Sequence, residues 1–212
     1  MIRHCRSALR GLLLLTLASS ITACTLLPES EPTRLYLLPT ATLSPAEGAA
    51  LTARMRVETP HAPASLAGPR ILVMPEPHRL KAYAGARWAE RIPLLLRDRL
   101  VKGIGDRGLL RAQDDNSPLS ADVSLASDLR AFYSEYVDGV PEAVIRLDAA
   151  LVDETTRELL GERRFVIREP STDTSLEAVV EAFGRAADRL AVELSDWSAA
   201  AVADKRREKA AD

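Results

Sequence analysis

Residues 174–197 read Thr174-Ser175-Leu176-Glu177-Ala178-Val179-Val180-Glu181-Ala182-Phe183-Gly184-Arg185-Ala186-Ala187-Asp188-Arg189-Leu190-Ala191-Val192-Glu193-Leu194-Ser195-Asp196-Trp197. Leu176, Val179, Val180, Phe183, Ala187, Leu190, Leu194 and Trp197 recur at helical spacing over about six turns, which predicts one amphipathic helix with a continuous apolar stripe. Thr174 and Glu177 have the spacing of a capping box, in which each satisfies a backbone donor at the helix start. Burying eight such side chains contributes ~12–20 kcal/mol gross, before chain entropy is subtracted. A stripe of that width needs a sheet or a second helix to cover it. Past Ala203 the run Asp204-Lys205-Arg206-Arg207-Glu208-Lys209 has no apolar face, so residues 201–212 are expected to form a charged, frayed tail.

The cover is legible upstream. Val123, Leu125, Leu129, Ala131 and Tyr133 alternate with Asp122, Ser124, Asp128 and Arg130. Ala143, Ile145, Leu147, Ala149 and Leu151 alternate with Glu142, Arg146 and Asp148, and a weaker run spans Leu159 to Ile167 around Phe165. With turns at Val137-Asp138-Gly139-Val140 and Asp153-Glu154-Thr155-Thr156, these predict an antiparallel meander with one fully buried face. Earlier, Arg70-Ile71-Leu72-Val73-Met74-Pro75 reads as a strand buried on both faces. Trp88, Ile92, Leu95, Leu96, Leu100 and Ile104 form a second helical stripe, with the regular helix starting near Arg91 because Pro93 suits only a first turn. Gly103 and Gly105 are taken as its stop. The expected fold is α+β, a mainly antiparallel sheet with two helices packed on one face, in a single domain over residues 70–200.

Residues 24–69 carry Pro28, Pro32, Pro39, Pro45, Pro60, Pro63 and Pro69 and read as a semi-extended spacer. One short strand, residues 34–38 (Arg34-Leu35-Tyr36-Leu37-Leu38), is expected to pair with the domain sheet. Residues 40–66 are expected to be a long loop or a partly helical excursion.

The first residues fix the compartment. Arg3, Arg6 and Arg10 precede the apolar run Gly11–Ala18, and small or polar residues follow, the order of a secretory signal peptide. The apolar run is far shorter than the ~20 residues a membrane-spanning helix needs. Ile21-Thr22-Ala23-Cys24 resembles the bacterial lipobox, in which the Cys thiol is acylated. Residues 1–23 are therefore expected to be a lipoprotein signal peptide and Cys24 the lipidated first residue of the mature chain. The other cysteine, Cys5, falls in the leader, leaving the mature chain no second thiol to mispair in an oxidising compartment. Thr25 follows Cys24, where an Asp would signal inner-membrane retention. By resemblance to bacterial lipoproteins this places the anchor in the outer membrane, on the periplasmic face. Several acyl chains, at ~0.8 kcal/mol per buried methylene, hold far better than one.

Composition narrows the chemistry. The 212 residues are 27% charged, 47% hydrophobic and 4% aromatic, with a formal charge of −2. Without residues 1–23, 25 Lys and Arg face 30 Asp and Glu, a charge of −5. Such a chain lacks the basic face of a nucleic-acid binder and the polybasic patch of an anionic-lipid binder. Gly103-Ile104-Gly105-Asp106-Arg107-Gly108 spells GxGxxG, but it closes a helix where a dinucleotide fingerprint must open one. His61 and His78 have no second His or Cys at ligand spacing, so no metal and no cofactor is expected. There is no GxSxG, and the carboxylates Asp114, Asp115, Asp153 and Glu154 gather at turns, so no catalytic residues are assigned. Trp88 is read as core. Trp197, near the end of the last helix, is the candidate partner contact.

Several blocks resemble the ABC-type transport auxiliary lipoproteins, which include the paraquat-inducible PqiC-like proteins. They are Leu66-Ala67-Gly68-Pro69-Arg70-Ile71-Leu72-Val73 with Pro75-Glu76-Pro77, Ala86-Arg87-Trp88-Ala89-Glu90-Arg91-Ile92-Pro93, Asp128-Leu129-Arg130-Ala131-Phe132, the Phe165 strand and the final helix to Trp197. Residues 78–85 are shorter than the resemblance implies, which suggests that an added hairpin before the Trp88 helix is missing. The resemblance implies a periplasmic lipoprotein working with an MCE-domain (mammalian-cell-entry type) protein of an ABC system that moves lipid between membranes. The expected role is a docking subunit without catalysis, held to outer-membrane lipid through acylated Cys24. The alternatives are a lipid carrier with its own acyl cavity and an envelope-assembly lipoprotein serving a secretin or the cell wall.

Overall fold

The computed structural model describes residues 32–211, so Cys24 and the leader lie outside the described residues. From Thr33 onward the chain forms one compact unit. Its elements run β1 (Arg34–Tyr36), β2 (Arg54–Val57), β3 (Arg70–Glu76), β4 (Arg79–Trp88), α1 (Ile92–Arg107), β5 (Arg111–Asp114), β6 (Val123–Val137), β7 (Val140–Asp153), β8 (Leu159–Pro170) and α2 (Leu176–Ala211).

All eight strands belong to one sheet, which β6 organises. One edge of β6 pairs with β7 along its whole length, from Val123↔Asp153 to Val137↔Val140. The other edge takes two parallel neighbours in succession, β2 at Val57↔Leu125 and β3 at Val73↔Ser134, with an isolated bridge between His61 and Asp128. β5 joins β2 and β1 joins β4, both parallel. Four of the seven strand pairs are parallel, so the sheet is mixed and the expectation of a mainly antiparallel sheet is corrected. The meander β6–β7–β8 is antiparallel. The parallel half escapes sequence patterning because β2 (Arg-Met-Arg-Val) and β5 (Arg-Ala-Gln-Asp) offer two or fewer apolar residues each.

The α+β, two-helix, single-domain reading holds. α1 and α2 touch each other and pack on the sheet. The odd residues of β7 and β8, such as Ile145, Leu147, Phe165 and Ile167, are buried toward them, while Arg164, Val166 and Arg168 stay exposed on the other face. Trp88, Phe132 and Phe183 centre the core: Phe132 and Phe183 stack at 4.8 Å, and Trp88 meets them edge-on at 6.0 and 5.5 Å.

Several local expectations are corrected. The domain begins near residue 33, because β1 and β2 are sheet strands and Leu38, Ala53, Met55 and Val57 are core; residues 33–69 are not a spacer. Trp88 ends β4 and does not open the helix; alternation along β4 buries Ala86 and Trp88. Residues 79–88 complete a hairpin with β3, bulged where Gly85 takes φ 62°. α1 stops at Gly108, whose left-handed φ of 73° lets its N–H reach the Gly105 and Ile104 carbonyls. The α2 cap is Ser175, one residue later than expected: its Oγ accepts the Ala178 N–H at 3.2 Å. Glu177 instead accepts from the Tyr36 hydroxyl at 2.7 Å and from Arg34 at 3.3 Å, tying β1 to the helix start. The tail does not fray. α2 runs to Ala211, with Lys205 on Glu158 at 2.6 Å and Arg206 on the Thr52 carbonyl at 3.2 Å.

The helices cross where α1 is smallest. A Cβ on Gly103 would lie 2.5 Å from the Ala191 Cβ, a distance that packed atoms do not tolerate. Beside the crossing, buried Arg99 donates through Nε to Asp188 at 2.5 Å and through Nη2 to the Ala41 carbonyl at 3.2 Å. Gly105, two residues on, faces open space. Gly103→Ala is therefore expected to cost about 1–3 kcal/mol through overpacking. Gly105→Ala should instead gain up to about 1 kcal/mol through helix propensity. Urea unfolding of the two variants measures both; equal effects would contradict the crossing.

Candidate functional site

The β7–β8 turn and the last turns of α2 come together at one end of the sheet. Between them lies an open groove of about 710 Å³, walled by Glu158, Leu159 and Leu160 and floored by Trp197, Ala200 and Ala201. Lys205 spans it to Glu158. Through that hydrogen bond Lys205 holds the Glu158 carboxyl below its usual range, and Glu158 raises the Lys205 ammonium.

Trp197, the candidate contact, is half-buried on the groove floor. Its ring meets Phe165 edge-on at 5.7 Å and lies over Gly161, where a Cβ would touch it at 3.4 Å. The Arg163 guanidinium lies over the Phe165 ring at 4.8 Å. The indole is thus braced from β8 and shows one side to the groove. Leu159 is 55% exposed at the rim, an apolar side chain the sequence pattern did not single out. Among the described residues β8 pairs only with β7, so the strand carrying Leu159 and Leu160 has a free edge there. An aromatic floor, a leucine rim and a charged border form a patch that can seat a partner's apolar side chain.

The open face of the meander carries charge. Asp148 of β7 accepts from Arg164 at 2.5 and 3.0 Å and from Arg130 at 3.1 Å, and Arg130 reaches Asp128 at 3.1 Å. Nearer the other end Arg168 joins Glu135 and Glu142. The alternating acids and bases of 128–168 are a ladder across three strands. His61 lies against this face at the level of Asp128, and His78 sits in the β3–β4 turn, so the two histidines are not brought together. Among the described residues no group of three or more His, Cys, Asp or Glu is placed to hold a metal. Of the turn acids, Asp153 caps the β7–β8 turn through the Thr155 and Thr156 N–H groups, both at 2.8 Å. Asp115 takes Arg97 at 2.7 Å and the Thr59 N–H at 2.8 Å. Both are occupied in structure.

The family model for the ABC-type transport auxiliary lipoprotein component matches residues 36–195. The chain belongs to that family. Its described fold is similar to the crystal structure of protein XCC0632 from Xanthomonas campestris, of family DUF330: 28% identity, TM-score 0.76, covering 82% of this chain and 99% of that one. The crystal structure of an uncharacterized protein follows at 19% identity and TM-score 0.64, covering 78% and 98%. The hypothetical protein CT253 from Chlamydia trachomatis shares the fold at 8% identity and TM-score 0.51, covering 72% and 98%. No curated protein matches the chain by sequence. Family membership makes this an envelope lipoprotein associated with an ABC transport system. Among the described residues no helix is long and apolar enough to cross a membrane.

The Asp148 ladder gives the protein a defined acid response. Hydrogen bonding from Arg164, reinforced by Arg130, holds the Asp148 carboxyl at about 2. Unfolded, the same carboxyl titrates near ~3.9, so its contribution is complete above that value and is lost as pH falls toward 2. Between pH 5 and 2, Asp148→Asn should lose less stability than the unmodified chain, by about 1 kcal/mol once solvent screening of the exposed arginines is counted. Denaturant midpoints across that range measure it; parallel acid profiles would refute it.

Proposed function

We propose that the protein is an outer-membrane-anchored docking subunit of an MCE-type ABC lipid transport system, without catalysis of its own. The observation that carries this reading is the family match over residues 36–195, joined to an exposed groove around a braced tryptophan. Acylated Cys24 anchors the chain on the periplasmic face of the outer membrane. The groove of Trp197 and Leu159 takes an apolar side chain of the MCE-domain partner.

The filled core favours docking over carriage. A carrier needs a dry cavity long enough for an acyl chain. Here the layer between helices and sheet is occupied by Trp88, Phe132, Phe183, Leu96, Leu100 and Leu190, all at 1% exposure or less.

Crosslinking the full lipoprotein in its native envelope and identifying what is captured tests the reading. Recovery of an MCE-domain protein is expected. Leu159→Glu, on an exposed side chain that leaves the core untouched, should lower that recovery about tenfold, the effect of a charge buried in a contact centre. Capture of lipid without such a protein would favour the carrier; capture of a secretin or cell-wall protein would replace transport altogether. The anchor has its own test. Cys24→Ser should release the chain from the membrane fraction and remove the acyl mass from its N-terminal peptide.

A further inference from the structure

Exposed apolar side chains also gather at the opposite end of the sheet. The β3–β4 and β6–β7 hairpins turn side by side, because β3 and β6 are parallel neighbours in register at Met74↔Glu135. Two residues further, Glu76 of one hairpin stands level with Val137 of the other. Leu80, Tyr136, Val137 and Val140 are 37–48% exposed there. Val137 and Val140 pair across the turn and share one face of the ribbon, while Tyr136 lies on the other. Tyr136 reaches back to the Tyr83 hydroxyl, yet it and the two valines still leave apolar surface exposed on both faces of a hairpin end, which water alone does not favour. The turn itself is well specified: Asp138 and Gly139 both take positive φ, 50° and 82°, as a tight two-residue hairpin requires.

The direction of β1 says what lies beyond these tips. β1 runs parallel to β4 with Arg34 level with Ala86, and β4 starts at the hairpin turn. The start of β1 therefore points toward the tips. Arg34 stands about 20 Å from the turn along β4, at ~3.3 Å per residue. Ten residues such as 24–33 span up to about 35 Å when fully extended. The described chain thus begins on the side of the tips, and a lipid on Cys24 is within reach of bringing them to a bilayer.

We infer that the paired hairpin tips rest in the membrane surface, with Leu80, Tyr136, Val137 and Val140 among the headgroups and upper acyl chains. This rests on the anchoring of Cys24 proposed above. The occupant is lipid rather than protein because the described chain begins on this side, toward a lipidated Cys24, and because exposed apolar residues stand on both faces of the tip where a partner groove would meet one. Asp138 and the Glu76–Arg79 ion pair at 3.0 Å sit in the same turns and keep the contact shallow. Tyr136 has the amphipathic ring that membrane interfaces favour.

The test uses the full lipidated chain on vesicles of phosphatidylethanolamine and phosphatidylglycerol. An environment-sensitive fluorophore is attached through Val137→Cys or, at the far turn, Arg157→Cys. The probe at 137 should shift to the blue and be quenched by lipids brominated near the headgroup, while the probe at 157 should show neither. A chain that floats with the vesicles but leaves both probes unquenched would overturn the tip contact and leave anchoring intact. A blue shift at 137 that lipid quenchers do not touch, and that grows with protein density, would mean that a second copy covers the tips and would also overturn it. If the chain fails to float, the anchor reading fails and the tip contact falls with it.

Discussion

The β6–β7 ribbon is the constraint on which the rest of the molecule depends. Fourteen residue pairs in one antiparallel ladder make a rod about 45 Å long, and no other pair of strands spans the domain. Its length lets a single edge of β6 serve two parallel neighbours, β2 and then β3, so two smaller sheets become one. It also sets the length of α2, whose 36 residues return along the ribbon over ~54 Å. The ladder bulges between Leu129 and Ala131, which shifts side-chain parity by one. The residues facing the helices are odd before the bulge, as with Leu125 and Leu129, and even after it, as with Phe132 and Ser134. Without the bulge Phe132 would point away from Trp88 and Phe183, and the aromatic centre could not assemble.

The helices are fixed to each other by geometry and charge together. Gly103 allows α1 within contact of Ala191, and that approach brings Arg99 to Asp188 with little water between them. A buried pair of this kind contributes little net stability, because desolvation offsets most of the attraction, but a lone survivor of it is costly. Ala41 clamps the pair from outside, its carbonyl accepting from Arg99 and its N–H donating to Asp188 at 3.3 Å. The segment after β1 is thereby stitched to both helices. This explains why a proline-studded stretch that reads as a spacer is part of the domain. Its prolines shape a path over the core: Pro39 lies so close to Gly184 that a Cβ there would stand 2.8 Å from the Pro39 carbonyl oxygen.

What the sequence disclosed follows from how each element meets solvent. The meander and α2 carry wide, regular apolar faces, and their periods read directly. β4 presents mostly exposed residues, β5 is half-buried with one apolar residue, and β2 has only two inward side chains, so their pairing is decided by backbone hydrogen bonds that leave no trace in hydropathy. Trp88 was legible as core but not as strand, because it stands four residues before Ile92 and extends that helix's stripe by coincidence. The capping box failed for a related reason. Thr174 and Ser175 both suit an N-cap, and the choice was made by Tyr36, which draws Glu177 outward. Of the candidate site, Trp197 was visible as a late aromatic on an amphipathic stripe. Leu159 was not, since a single leucine beside a turn has no period. The apolar tip at Tyr136–Val140 was hidden inside a turn signal. Cys24 lies outside the described residues, and its role stands on the lipobox.

A domain with one apolar contact at each end of a long ribbon behaves differently from one with a single site. On the reading proposed here the acyl chains supply nearly all of the membrane affinity, since several together add far more buried methylenes than four side chains at a hairpin tip. The tips matter for orientation instead. A lipid tether of ten residues keeps them at an effective concentration of ~mM or more at the surface, so even a weak contact is populated. Once the tips are seated, the ribbon stands away from the bilayer and holds the Trp197 groove some ~45 Å into the periplasm. A lipid tether alone would leave the direction of that groove unset. On that proposal a docking partner would meet the groove already presented, and the orientational part of the association cost would be met before encounter.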